Sequence, residues 1–192
     1  MSILIGMAQI TTNEFRQGAK VEIQNEPYLI VGVEFVKPGK GQAFTRTKLK
    51  HLKTNRTIER TFKSGEKVDL ADIVESSMRM LYRDGAEVVF MDDNTFDQVS
   101  IENLGDAENW MKEEILYDII FYKGEAITVT APTFMELKIT ETEPGVKGDT
   151  ASGRVLKPAV CETGAKVQVP LFINEGEVIK IDTRTSEYVS RV

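Results

Sequence analysis

Short alternating segments separated by turn residues fill nearly the whole chain, and they restrict it to a β fold. Four such segments in the first third predict antiparallel strands at 20–24, 28–36, 43–49 and 57–62. Four or five strands within about 60 residues fit a small SH3-like barrel better than a sandwich. The hairpin turns are predicted at Asn25-Glu26-Pro27 and Thr54-Asn55-Arg56.

The rest of the chain also predicts strands, with one exception. Residues 95–112 predict the single helical region, which breaks at Gly105 and resumes from an N-cap at Asp106. We expect Trp110, on this helix, to pack in the core. A small barrel interrupted once by a helix is the plan of an OB fold. In the last third, strands are predicted at 135–142, 166–172, 177–183 and 187–191.

A lysine-bearing turn joins the segments 28–36 and 43–49. Pro38 sets the first central position of a β-turn, and Gly39 supplies the φ > 0 that a type II turn needs next. Gly41 then lets the chain leave the turn without strain. The result is a hairpin with Lys40 at its tip. Taken alone, a Pro-Gly-Lys-Gly tetrapeptide favours an ordinary solvated turn, because short motifs often match by chance.

Charge is distributed unevenly along the chain. Residues 7–70 carry 12 Lys/Arg against 7 Asp/Glu, a net +5, whereas residues 71–132 carry 4 against 14, a net −10. Residues 133–192 carry 8 against 9, a net −1. The basic first third suits an anionic partner, and the acidic middle would repel one. This pattern argues against a protein that coats nucleic acid, but not against one that touches it at selected places.

Cations recur on one face of the strand that follows the lysine turn. Alternation places three of them there behind an aromatic residue, and they continue the line of Lys37 and Lys40. Such a stripe suits a phosphate backbone, although a solvated polar face has the same pattern. The stripe consists of Phe44, Arg46, Lys48 and Lys50, and the opposite face of Thr45, Thr47 and Leu49.

The composition argues against several other classes of protein. With the single cysteine Cys161, no intramolecular disulfide can form, which fits a reducing cytoplasm. One cysteine and one histidine, His51, also argue against structural zinc, and we expect neither a metal nor another cofactor. No apolar run approaches the length of a membrane span, and residues 1–6 lack the basic start of a signal peptide. Met7 is an alternative start, with residues 1–6 as an extension.

No set of residues points to an enzyme. The chain lacks a Ser/His/Asp set, a phosphate loop and a conspicuous pair of acids. Cys161 is a conceivable nucleophile, but His51 lies in a different predicted domain.

Four stretches together resemble the bacterial elongation factor P family, over about residues 15–192. The tip loop and the C-terminal motif carry most of the similarity, because the motif keeps its spacing over 36 residues. The four stretches are Asn13 to Gly18, Glu34 to Phe44 with Lys-Pro-Gly-Lys-Gly-Gln-Ala at its centre, Thr61 to Ser64, and the motif that starts at Lys157-Pro158-Ala159 and ends with Glu187-Tyr188-Val189-Ser190-Arg191-Val192.

The resemblance implies three domains in an elongated, L-shaped arrangement like that of tRNA. An SH3-like (KOW-type) domain would span residues 7–70, followed by a central OB domain at 71–132 and a C-terminal OB domain at 133–192. It also implies a cytoplasmic monomer that binds both ribosomal subunits between the P and E sites and relieves stalling at consecutive prolines.

Functional residues are carried over from the family's motifs. Lys40 matches the residue that enters toward the peptidyl-transferase centre, and modifying enzymes typically extend it with a β-lysyl group. Contacts with the P-site peptidyl-tRNA are expected from Lys37, Gly39, Lys40, Gly41, Arg46 and Lys48. Gly148, Asp149 and Thr150 match the loop that faces the E-site codon of the mRNA, and Tyr188 and Arg191 match residues at the small subunit and the anticodon arm.

This chain departs from the family pattern in two places. After Ala151 it reads Ser152 to Leu156, where members vary in length. Ser186 stands where many members have glycine before Glu187-Tyr188, which affects the last turn.

The resemblance and the chemistry of lysine lead to the same mechanism. Proline is a poor nucleophile for peptide bond formation mainly through geometry, so positioning helps without new acid–base chemistry. Alignment lowers a barrier by up to roughly 7–11 kcal/mol in ideal cases. A lysine ammonium stays charged at neutral pH and is a poor general base. We therefore predict that Lys40 contacts the CCA end of the peptidyl-tRNA.

Two alternatives remain open. The first is an elongation factor P-like paralogue with the same fold. The second is a general RNA-binding module of SH3 and OB units, in which Lys40 would matter no more than any other phosphate contact.

Overall fold

The first sheet of the protein is a six-stranded antiparallel structure. The structure is a computed structural model, and it describes residues 8–144 and 155–192. The strands follow the order β1-β6-β2-β3-β4-β5. All four strands predicted in this region are present, which confirms the β prediction for the first third. The six strands are β1 Gln9–Thr11, β2 Lys20–Ile23, β3 Glu26–Val36, β4 Phe44–His51, β5 Thr57–Lys63 and β6 Lys67–Leu70.

A second sheet follows, with the order β11-β10-β7-β8-β9. Its five strands are β7 Ile73–Asp84, β8 Glu87–Met91, β9 Gln98–Ile101, β10 Leu116–Tyr122 and β11 Glu125–Thr130. A short 3-10 helix, Gly105–Trp110, lies between β9 and β10.

The C-terminal strands close into a barrel with the order β12-β13-β14-β16-β15. The last strand runs parallel to β14 and antiparallel to β15. A closed barrel of five short strands is the OB plan that was predicted for this part of the chain. Its strands are β12 Phe134–Thr142, β13 Leu156–Cys161, β14 Lys166–Pro170, β15 Val178–Asp182 and β16 Glu187–Arg191.

The prediction of a helix over residues 95–112 is wrong in its first half. Residues 98–101 form β9, in which Val99 pairs with Phe90 and Ile101 with Val88. The apolar spacing fits both a helix and an alternating strand, and pairing with β8 decides in favour of the strand. The 3-10 helix that remains has its N-cap at Leu104, and not at Asp106.

The first hairpin turns one residue earlier than predicted. Gln24 and Asn25 occupy the turn with φ of 54° and 60°, and Glu26 already pairs with Ile23 in the ladder. Two successive residues with φ > 0 match the twist of a two-residue hairpin, and this geometry outweighs the turn signal of Pro27.

Contacts within the chain define two compact units. The first comprises Met1–Glu75, of which residues 8–75 are described, and Ile120–Thr128. Its apolar core lies inside the first sheet, where the rings of Phe15 and Phe62 meet edge to face at 5.3 Å. The buried members of this core are Phe15, Val21, Ile23, Ile30, Leu49, Phe62 and Val68.

The second unit comprises Ser76–Ile119 and Val129–Val192, apart from residues 145–154. Trp110 is only 5 % exposed and belongs to the same core as the inward-facing residues of the C-terminal barrel, which confirms its predicted place. The hydroxyl of Tyr117 donates to the Trp110 carbonyl at 2.7 Å, and burial raises the pKa of Tyr117 to about 12. Because the Trp110 side chain is buried in this core, it is not available for stacking with a nucleic-acid base.

A buried carboxylate holds the turn between β10 and β11 against β2 in the first unit. Glu22 is 8 % exposed; Tyr122 donates its hydroxyl to Oε2 at 2.8 Å, and the Lys123 ammonium lies 3.1 Å from Oε1. The ammonium groups of Lys53 and Lys123 lie 5.5 and 5.1 Å from the centroid of the Tyr122 ring. Burial, and then the bond to Glu22, raise the pKa of Tyr122, and the bond to Glu22 raises the pKa of Lys123. The two donors satisfy a charge that would otherwise be costly to bury.

Replacing Tyr122 with phenylalanine removes one of these donors and keeps the ring. We expect Y122F to destabilise the first unit by about 1–3 kcal/mol, because Glu22 Oε2 loses its donor in a buried site. Urea titration followed by hydrogen exchange of the β2 amides measures this loss. The matched control is Y82F, since Tyr82 is 47 % exposed. Equal stability of Y122F and Y82F would contradict the expectation.

Candidate nucleic-acid interface

A seven-residue loop, 37–43, connects β3 to β4 and carries Lys40. The predicted type II turn is wrong, because Gly39 does not adopt a positive φ; Gly41 does, at 113°. The ladder ends at the pair Val36 and Phe44, so the second strand begins one residue later than predicted. A Cβ added at Gly41 would lie 3.8 Å from Pro38 Cγ, so the positive φ alone favours glycine there.

The loop presents its lysines to solvent. Residues 37–42 are all exposed, and the Ser64 amide donates to the Ala43 carbonyl at 3.1 Å, which anchors the base of the loop. Neither Lys37 nor Lys40 forms an ion pair with any residue in 8–144 or 155–192. Both ammonium groups are therefore available to an anionic partner.

The predicted alternation along β4 is confirmed. The residues assigned to the inner face, Thr45, Thr47 and Leu49, are 3, 0 and 0 % exposed. On the outer face, Arg46 and Lys48 are exposed. The buried hydroxyl of Thr47 is tolerated because it donates to the Arg60 carbonyl at 2.9 Å.

The two outer cations have carboxylate partners that the sequence analysis missed. Arg46 Nη1 lies 3.1 Å from Glu34 Oε2, and Lys48 Nζ lies 3.8 Å from Glu59 Oε1. Each pair joins neighbouring strands, so knowledge of the register would have found them. Both pairs are well exposed, and such pairs contribute about 0–1 kcal/mol. A phosphate could replace either carboxylate at little cost.

The C-terminal strand places Tyr188 and Arg191 on the same side. Tyr188 pairs with Ile181 and Arg191 with Ile179, and both isoleucines face the barrel core. In a regular strand, two residues three positions apart would lie on opposite faces. Here the extra residue Val189 shifts the register by one, so Tyr188 and Arg191 lie on the same face. Tyr188 packs against the core, and Arg191 Nη1 lies 3.4 Å from Glu177 Oε1.

The predicted site residues are divided between the two units. Lys37 and Lys40 of the loop and the β4 stripe belong to the first unit, and Tyr188 and Arg191 belong to the second. Gly148, Asp149 and Thr150, predicted to face the codon, lie outside the described residues, as do residues 1–6, Met7 and most of the variable segment at Ser152 to Leu156.

The departure at Ser186 has a structural cost. Ser186 adopts φ of 59° in the turn that precedes β16. This left-handed conformation is unfavourable for a side chain with a Cβ and free for glycine.

The thiol of Cys161 is poorly suited to be a nucleophile. The residue is 1 % exposed, and burial raises the pKa of the thiol to about 11. Across residues 8–144 and 155–192, no three His, Cys, Asp or Glu side chains are grouped in a way that could hold a metal ion. Within the same ranges, none of the helices has the length and apolar character needed to span a membrane.

Sequence models of three domains of one family match most of the chain. The elongation factor P KOW-like domain matches residues 11–68, the elongation factor P OB domain residues 73–129, and the elongation factor P C-terminal domain residues 135–191. Among curated relatives, elongation factor P 2 of Protochlamydia amoebophila is 60 % identical and that of Chlamydia pneumoniae 56 % identical. Both alignments span 188 residues, 97 % of this chain and 99 % of the relative.

Solved structures support the fold. The eukaryotic translation initiation factor 5A from Methanococcus jannaschii aligns with a TM-score of 0.51 at 22 % identity, over 66 % of this chain and 96 % of its own. A translation initiation factor 5A family protein from Naegleria fowleri aligns with a TM-score of 0.54 at 14 % identity, over 65 % of this chain and 96 % of its own.

Replacing Ser186 with glycine relieves the unfavourable backbone conformation. We expect S186G to stabilise the protein by about 0.5–1 kcal/mol, since the left-handed penalty exceeds the extra freedom that glycine has in the unfolded chain. The change is measured as the urea midpoint of the second unit. S190G, a glycine placed inside β16, is the control and should destabilise. A lower midpoint for S186G would show that the turn is not strained.

Proposed function

Because this chain belongs to the elongation factor P family, we propose that it binds the ribosome between the P and E sites and stimulates peptide bond formation at consecutive prolines. Membership rests on domain matches along almost the whole chain and on relatives at 54–60 % identity that are named elongation factor P. These support a role in translation elongation. The ribosomal site and the relief of proline stalling are the finer part of the proposal.

One observation supports Lys40 as the acting residue. Its ammonium has no ion pair among the described residues, and it lies in an exposed loop that the paired strands β3 and β4 carry beyond the sheet. We infer that this cation contacts the CCA end of the peptidyl-tRNA and holds the ester in a reactive geometry. Orientation of the reacting groups is sufficient for catalysis of this kind, and no group on the chain has to accept a proton.

The other cations of the first unit supply affinity. Lys37 lies in the same loop, and Arg46 and Lys48 would exchange Glu34 and Glu59 for phosphates of the tRNA. Gly39 and Gly41 allow the RNA backbone to approach the loop closely. Contacts of this kind add binding free energy that falls with salt concentration, without reading the sequence of the RNA.

The C-terminal residues would hold the far end of the complex. We propose that Tyr188 and Arg191, which share one side of β16, contact the small subunit and the anticodon arm. Arg191 can leave Glu177 at little cost because its side chain is 60 % exposed. Gly148, Asp149 and Thr150 are proposed to contact the E-site codon of the mRNA.

Further properties follow from the same role. We propose functional domains at 7–70, 71–132 and 133–192, supported by the similar ranges of the three family matches.

The protein would act as a cytoplasmic monomer without catalytic residues or a cofactor. Enzymes that modify lysine, for example with a β-lysyl group, would act on Lys40, whose exposure in the loop gives them access.

Translation of a reporter with three consecutive prolines tests the role of Lys40. The protein, purified from its own host, is added to a reconstituted system that lacks the endogenous factor. We expect K40A to lower the maximal stimulation by at least about tenfold, equivalent to about 1.4 kcal/mol of lost transition-state stabilisation. K67A is the matched control, because Lys67 is an exposed lysine on β6 of the same sheet.

Substitution of the stripe should have a different kinetic signature. R46A and K48A should raise the concentration needed for half-maximal stimulation and lower the salt slope by about one each, with the maximum retained. If K40A behaves like R46A, Lys40 is one phosphate contact among several, as in a general RNA-binding module. If the unaltered protein gives no stimulation, the paralogue or a general RNA-binding module becomes the better interpretation.

A further inference from the structure

Phe35 is an exposed aromatic residue immediately beside the tip loop. It stands one position before the end of β3, and 55 % of its surface is exposed. In the ladder, Phe35 pairs with Thr45, and Thr45 pairs with Phe62. Thr45 and Phe62 are 3 and 2 % exposed. Phe35 therefore belongs to the core-facing side of the sheet, opposite to Arg46 and Lys48, but it remains uncovered.

A cation lies on the same side, two strands away. Arg60 follows two rows along the ladder, which is the next row on this side of the sheet, where Val33 pairs with Thr47 and Thr47 with Arg60. The Arg60 guanidinium lies 5.0 Å from the centroid of the Phe62 ring. Its partner within the described residues is thus an aromatic ring, and no carboxylate of those residues pairs with it. Unlike Arg46 and Lys48, Arg60 can therefore bind an external anion without first leaving a carboxylate of the described residues.

The combination favours an unpaired nucleotide over other occupants. A lone exposed phenylalanine is ordinary on a protein surface. Here the ring lies beside a loop with two cations, Lys37 and Lys40, and on the same side of the sheet as Arg60, in a region of net charge +5. Aromatic rings on which bases stack, with cations for the backbone beside them, are the usual means of binding single-stranded RNA. An apolar protein partner would gain nothing from this concentration of positive charge.

We propose that Phe35 stacks on a base of an unpaired RNA end and that Arg60 binds the adjacent phosphate. The inference rests on the proposed function, since the peptidyl-tRNA would supply such an end to the Lys40 loop. It assigns to the inner side of the sheet a contact that is separate from the outer stripe of Arg46 and Lys48.

Binding of a fluorescent single-stranded RNA that ends in CCA to the full chain tests the proposal. F35L should weaken binding by about tenfold and leave the salt slope unchanged, because it removes stacking and no charge. F35W should bind at least as well as the unaltered protein. R60A should reduce the salt slope by about one. An RNA of the same length closed into a duplex should not distinguish F35L from the unaltered protein.

F134L is the matched control. Phe134 is 48 % exposed and has a lysine, Lys180, 5.0 Å from its ring centroid, but it lies in the second unit. We expect no change in RNA binding for F134L. An equal loss for F134L and F35L would overturn the proposal, since any exposed ring beside a cation would then serve. The thermal midpoint of each variant identifies a loss that comes from unfolding.

The proline reporter separates failure of this inference from failure of the proposed function. If the unaltered protein stimulates translation and F35L stimulates and binds RNA equally well, only the contact by Phe35 is refuted. If F35L binds RNA normally but no longer binds ribosomes, the ring contacts another part of the ribosome and not the CCA end, which also refutes it. If the unaltered protein gives no stimulation, the proposed function is refuted, and the effect of F35L on RNA binding still decides the stacking contact.

Discussion

The pairing of β3 with β4 is the constraint on which the lysine loop and the cations around it depend. It runs from the pair Tyr28 and His51 to the pair Val36 and Phe44 and ends directly at the lysine loop. The inner residues of β4 are almost completely buried, so a slip of one residue would bring the outer cations into the core and expose the apolar face. Burial on one face therefore fixes the register, and the register fixes where Lys40 emerges.

Electrostatic compensation divides the cations of the first unit into two groups. Arg46 and Lys48 are balanced by carboxylates on neighbouring strands, so binding to RNA would be an exchange of one anion for another. Lys40 has no such partner among the described residues, and Arg60 rests on a ring. Lys40 in the loop and Arg60 on the inner side of the sheet thus lack a carboxylate partner among the described residues, whereas Arg46 and Lys48 of the outer stripe are paired. The buried Glu22 shows the opposite arrangement, in which a tyrosine and a lysine satisfy an internal charge.

The strands and the alternation along β4 could be predicted because they follow from local patterns of period two. Two features could not, since they depend on pairing between distant segments. Residues 98–101 became a strand through contact with β8, and the carboxylate partners of Arg46 and Lys48 followed from the register. The shared side of Tyr188 and Arg191 was hidden for the same reason, because a bulge overrides the period of the strand. Assignment of Lys40 came from resemblance, and the geometry adds that its amine is exposed and has no partner among the described residues.

Proximity of the loop to the reacting ester is the central claim, and site-directed cross-linking measures it most directly. Gln42 is exposed in the loop, and Cys161 is buried with a raised pKa, so in Q42C a photoreactive maleimide will label the new thiol alone. The control, S100C, carries the label at an exposed position of β9. On ribosomes stalled at consecutive prolines, we predict that Q42C, and not S100C, cross-links to the 3′-terminal nucleotides of the P-site tRNA. Cross-links from Q42C that never reach this end of the tRNA would contradict the positioning role of Lys40.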